Sequence, residues 1–163
     1  MNVYDQNRSW SDQFLPDVKR IVGQHLLTEA PNELDWHQAT DLLTLDARDT
    51  RIAARIRRSG YAEQYPHEFT VRAASAGGGP TELAKIVNGH GDWMFYGHAA
   101  ASGQGLASWY IIDLRAFRAG LIRHMQDGYP LRFGDKLNVD GTGFRWFDIR
   151  SFPPEPRLVV AKG

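Results

Sequence analysis

Between residues 51 and 58 the chain carries four arginines and no acid. If residues 51–57 form an extended strand, Arg51, Arg55 and Arg57 fall on one face, while Ile52, Ala54 and Ile56 fall on the other. The guanidinium group is a planar fork of donors that matches phosphate and carboxylate oxygens. Arg72 would join the group if the next strand pairs with this one, and such a cluster neutralises phosphates and positions a nucleic-acid backbone. The alternative is internal charge balance, because residues 29–49 hold six acids against the single base Arg48. A second feature is Asp41, which shares a strand face with Leu43 and Leu45. A carboxylate buried among leucines requires a partner or a metal, unless it sits at a strand entrance and is satisfied by backbone amides.

These groups need elements to hold them. Phe14, Val18, Ile21, Val22 and Leu26 follow helical spacing, with Ser11 or Asp12 as cap and Pro16 in the first turn. That helix is expected to end near Pro31. Residues 40–45 and 51–57 read as adjacent strands, residues 60–67 as a connection, and residues 68–72 as a third strand presenting Glu68, Thr70 and Arg72 on one face. After the Gly77-Gly78-Gly79 loop, Pro80 suits the start of a helix over residues 81–88, which Gly89 and Gly91 stop. Residues 92–98 and 106–112 read as a hairpin of aromatic-rich strands. A long helix from Asp113 buries Leu114, Phe117, Leu121 and Met125, and strands over 144–149 and 158–160 close the chain. The result is an α+β fold: a mixed central sheet with flanking helices, in one domain spanning residues 1–163.

Composition narrows the chemistry. The 163 residues include no cysteine, which excludes disulfides, thiol nucleophiles and zinc knuckles. No apolar stretch approaches a membrane span, and the polar start lacks a signal-peptide centre, so a cytoplasmic protein is expected. Net charge is zero, unlike proteins that coat nucleic acid through bulk charge. His90, Asp92 and His98 offer possible metal donors, although histidines beside glycine turns are commonly structural. The triple glycine lacks the ending of a nucleotide-binding P-loop. Trp93, Phe95, Trp109, Tyr110 and Trp146 could stack bases, or serve as core aromatics at strand spacing.

The order helix, three strands, helix, strand, with Asp41 in an early strand, resembles the αβββαβ core of the PD-(D/E)XK nuclease superfamily over about residues 12–98. The resemblance implies magnesium, or manganese in its place, on hard carboxylate oxygens, with a lysine orienting the attacking water. Asp41 stands where the family has its strand aspartate. The triplet expected to supply acid-x-lysine is Ala53-Ala54-Arg55, a departure from the pattern. Glu68 would then supply the second carboxylate, Lys85 on the following helix the lysine, and Glu29 the glutamate that many members carry on the first helix. The expectation is a metal-dependent nuclease acting on nucleic-acid phosphodiesters. The alternative, favoured by the missing triplet, is a non-catalytic nucleic-acid- or protein-binding accessory module of the kind phages and mobile elements encode.

Overall fold

The computed structural model describes residues 3–29, 42–44 and 50–163, with residues 3, 4, 27–29 and 42–44 described by their backbone. The fold is α+β and divides into two compact units, Met1–Thr50 and Arg51–Gly163. No helix among the described residues is long and apolar enough to cross a membrane.

In the first unit the polar start is itself helical, so two helices replace the one expected. Helix α1 spans Val3–Asp12, and α2 spans Leu15–His25 with Pro16 in its first turn, where a missing N–H costs nothing. Phe14, Val18, Ile21 and Val22 are buried as their spacing predicts. Helix α2 stops well before Pro31. Strand β1 (Leu27–Glu29) follows and pairs antiparallel with β2 (Leu42–Thr44), so Glu29 lies in a strand rather than at a helix end.

The second unit carries two sheets. Strands β3 (Ile52–Arg57), β5 (Trp93–Ala99), β6 (Leu106–Asp113) and β9 (Val159–Lys162) form a mixed sheet in the order β3-β5-β6-β9, with β3 parallel to β5. Strands β4 (Glu68–Ala74), β7 (Phe133–Leu137) and β8 (Gly143–Asp148) form an antiparallel sheet in the order β4-β8-β7. The expected pairings of β2, β3 and β4 are replaced, β2 pairing with β1, β3 with β5 and β4 with β8, while β5 and β6 form the expected hairpin. A parallel partner must return through a crossover, here β4 and the short helix α4 (Glu82–Val87), and a single sequence does not reveal such long-range partners. The connection after β3 also contains a helical turn, α3 (Tyr61–Gln64).

Helix α5 (Leu114–Asp127) packs at the centre. Asp113 caps it, accepting from the amides of Arg115 and Ala116, and Gly128 ends it in a left-handed conformation. Leu114 and Phe117 are fully buried, and Leu121 packs against the core. Met125, expected inside, is 83% exposed; in the last turn it is His124 that packs, its ring edge to face with Phe133 at 5.3 Å. Across the smaller sheet, Phe69, Phe147 and Phe133 stand in one rank facing this helix, with the Phe147 and Phe117 rings 4.9 Å apart edge to face. Phe133 belongs to β7, a strand the sequence pattern does not signal because Gly134, Asp135 and Lys136 break its alternation.

Candidate functional site

The arginine strand faces inward, toward the second sheet. Arg55 stands opposite Tyr96 and Arg57 opposite His98 in the parallel register. Ala53, two residues earlier on the same face, packs against the hydrophobic core. The alternation read from the sequence is correct, but the face that carries the arginines is the half-buried one.

Glu82 organises the cluster. Thr81 caps α4 by accepting from the Ala84 amide at 3.2 Å, which sets Glu82 in the first turn. One Glu82 oxygen, Oε2, accepts from Arg55 Nη1 at 2.9 Å and from the Arg72 backbone amide at 3.0 Å. A single carboxylate thus ties β3 to β4 across the two sheets. Arg72 reaches the arginine group this way, and not through strand pairing. Glu82 stands three residues before Lys85, a spacing that suggests a solvated helix-face pair, but it is engaged by this ion pair while Lys85 is exposed. Burial holds the Arg55 guanidinium below the ordinary arginine range; the Glu82 charge opposes that shift, and the positive charges of Arg57 and Arg72 add to it.

Arg57 is held differently. Its guanidinium lies 4.3 Å from the centre of the Tyr61 ring and 5.5 Å from that of Phe144, two cation–π contacts. Its Nε is buried without a hydrogen-bond partner. Beside it, Tyr96 Oη meets Thr70 Oγ1 at 3.3 Å, and His98 Nδ1 meets Ser108 Oγ at 3.0 Å. His98 is depressed below the usual imidazole range, first by burial and then by the Arg57 charge, against a weaker opposing pull from Glu63. Native His98 therefore resists a proton that the unfolded chain accepts below about pH 6.5. Acidification through that value is expected to lower the melting temperature, and His98→Gln to remove that part of the decline. An identical pH profile in the variant would assign the decline to another group.

The other expected site residues are dispersed. Arg51 is exposed, 3.5 Å from Asp92, whose carboxylate also accepts the Arg51 amide at 2.9 Å. Glu68 opens β4 directly opposite Asp148, and its charged neighbours are Asp148, Arg132 and Arg150; Lys85 is not among them. Burial first, then the Asp148 charge, pushes the Glu68 carboxyl up. Asp41 lies outside the described residues, as does the side chain of Glu29. Among the described residues no three histidine, aspartate or glutamate side chains are grouped as a metal site requires, so Glu68 has no described co-ligand set for magnesium.

Comparison with known proteins finds no matching family model, curated sequence or solved structure. The site must therefore be read from its own chemistry.

That chemistry is cationic and aromatic. Arg55 pairs with Glu82, the charges of Arg57 and Arg72 act on it, and Arg57 lies on the rings of Tyr61 and Phe144. Tyr61 and Phe144 are not apparent candidates in the sequence, since Tyr61 falls in a connection and Phe144 opens one of the strands read as closing the chain. The available signal is alternation in β8: Phe144 and Trp146 must lie on the face opposite Phe147. Arg118 of α5 donates to the carbonyls of Ile86 and Gly91 and braces the end of α4.

Proposed function

We propose that this chain is a nucleic-acid-binding module whose contact with the phosphate backbone is made by Arg57 and Arg72, with Arg55 holding the site together. The observation that supports the reading is the placement of Arg57 and Arg72 around the Arg55–Glu82 pair, close enough for both of their charges to act on Arg55. Glu82 is committed to Arg55 and to the Arg72 amide, Arg57 rests against the Tyr61 and Phe144 rings, and the Arg72 charge reaches Asp140. A phosphate supplies Arg57 and Arg72 with acceptors that the guanidinium fork matches geometrically.

The reading is non-catalytic. The acid-x-lysine triplet is absent from β3, and the charge of Glu68 is answered by Arg132 and Arg150. Replacing both Arg57 and Arg72 by alanine is expected to weaken binding to every sequence alike and to reduce the slope of log affinity against log salt by roughly 1–2 units. Titration of labelled DNA and RNA at several salt concentrations measures this, and an unaltered slope overturns the assignment. The same preparation tests the metal-dependent nuclease that the resemblance implies. Cleavage in magnesium or manganese that disappears in Asp41→Asn would replace the non-catalytic reading by the catalytic one.

A further inference from the structure

The face of the smaller sheet that turns away from α5 carries three ranks. Arg72, Phe144 and Lys136 stand opposite one another across β4, β8 and β7, and Thr70, Trp146 and Gly134 form the next rank. Phe144 lies between cations, with the Arg57 guanidinium 5.5 Å and the Lys136 ammonium 6.0 Å from its ring centre. Tyr61, 39% exposed, extends the row beyond Arg57. The row therefore runs Tyr61, Arg57, Phe144, Lys136, alternating ring and cation, with Arg72 beside Phe144.

Gly134 shows how the second rank is laid. A Cβ at that position would come within 2.7 Å of Trp146 Nε1 and 2.8 Å of its Cε2 and Cζ2. The indole therefore occupies the space that any other residue's side chain would take, and it lies over the strand. Trp146 and Phe144 are only partly buried, unlike Phe147 and Phe69 on the opposite face. Acids bound the platform at one end, where Glu68 and Asp148 form the third rank beside Arg132 and Arg150.

We infer that this face is a stacking platform for single-stranded nucleic acid, with Trp146 and Phe144 receiving unpaired bases while Arg57, Arg72 and Lys136 hold the connecting phosphates. The inference rests on the nucleic-acid reading above and specifies its substrate class. Rings paired with cations along one sheet face complement a strand whose bases are splayed and whose backbone is anionic. In a duplex the base faces are already stacked, so these rings gain nothing from it.

The experiment is a fluorescence-anisotropy titration with a short labelled oligodeoxythymidylate, the corresponding oligouridylate, and a duplex of equal length. Single strands are expected to bind more tightly than the duplex. Trp146→Ala is expected to lower single-strand affinity roughly 5- to 150-fold, the range that base–aromatic stacking spans, while leaving duplex binding unchanged. Trp146→Phe, which keeps a ring, retains most of the affinity. Because Trp146→Ala removes contact area, its melting curve is recorded alongside. If it fails to fold, Phe144→Leu and Lys136→Ala carry the test, the first lowering single-strand affinity at constant salt slope and the second reducing the slope. Equal binding of single strand and duplex, or native single-strand affinity in a folded ring-deletion variant, overturns the platform and leaves phosphate binding standing. No binding to any of the three probes overturns both.

Discussion

Phe69→Ala is expected to destabilise the second unit by about 3–5 kcal/mol, the range for removing a phenyl ring from a packed interior. Phe69 is completely buried, and its ring lies within 6.4 Å, centre to centre, of the rings of Tyr96, Phe117, Phe147 and Phe152. These neighbours come from the larger sheet, α5, β8 and the segment that follows it. No single movement brings them together into the space left, so a cavity persists and its cost adds to the lost transfer energy. Urea unfolding followed by tryptophan fluorescence measures the loss as a lower midpoint at constant slope. Leu137→Ala is the control: Leu137 is 71% exposed in the same sheet, and its removal is expected to change stability by less than about 0.5 kcal/mol. A comparable small change for Phe69→Ala would contradict the packing described.

The second large effect is expected at Asp148. One carboxylate oxygen accepts from the amide and Nε of Arg150, both at 3.0 Å, and the other from Arg150 Nη2 at 2.9 Å, with Arg132 Nη1 at 3.3 Å. The carboxylate thus caps the 3-10 turn Ile149–Ser151 and receives a two-pronged contact from one guanidinium. Both arginines are largely exposed, 58% and 69%, so Asp148→Ala does not strand a buried positive charge. The cost is the lost cap and the charge-assisted bonds, about 2–4 kcal/mol.

Its pH dependence has a definite sign. The Arg150 side chain is the largest influence holding the Asp148 carboxyl below the usual range; burial opposes it. The stabilisation is therefore present above the unfolded aspartate value of about 3.9 and is lost as pH falls through the lower native value. Glu68 acts in the opposite sense: its carboxyl is raised, so its charge costs stability above the native value, and Glu68→Gln is expected to be neutral or stabilising near pH 7. Melting curves of Asp148→Ala, Glu68→Gln and the native chain between acid and neutral pH separate the two. A native chain whose acid slope survives Asp148→Ala would assign the slope elsewhere.

Local chemistry was legible in the residues themselves. Helical spacing located α2 and α5, alternation located β3 to β6 and β8, and the glycines and Asp113 marked their ends, because propensity, capping and periodicity act over a few residues. The division of β3 into an arginine face and an aliphatic face was equally legible, since side chains alternate wherever a strand forms. Which of those faces packs inward was not. That depends on β5 arriving parallel to β3 after a crossover, and on the smaller sheet lying against the arginine side. Glu82 shows the same limit from the other direction. Its spacing from Lys85 suggests a helix-surface pair, yet a buried cation from β3 competes for the carboxylate and wins, because an unpaired guanidinium in a half-buried site costs more than an exposed ion pair returns. The sequence alone determined the fold class, the absence of cysteine chemistry and the supply of arginines and aromatic rings. Only the tertiary structure decided that the charges of Arg57 and Arg72 act on Arg55, and that Trp146 lies over Gly134 beside Phe144. Such contacts join strands far apart along the chain, and their register is set by packing over the whole unit.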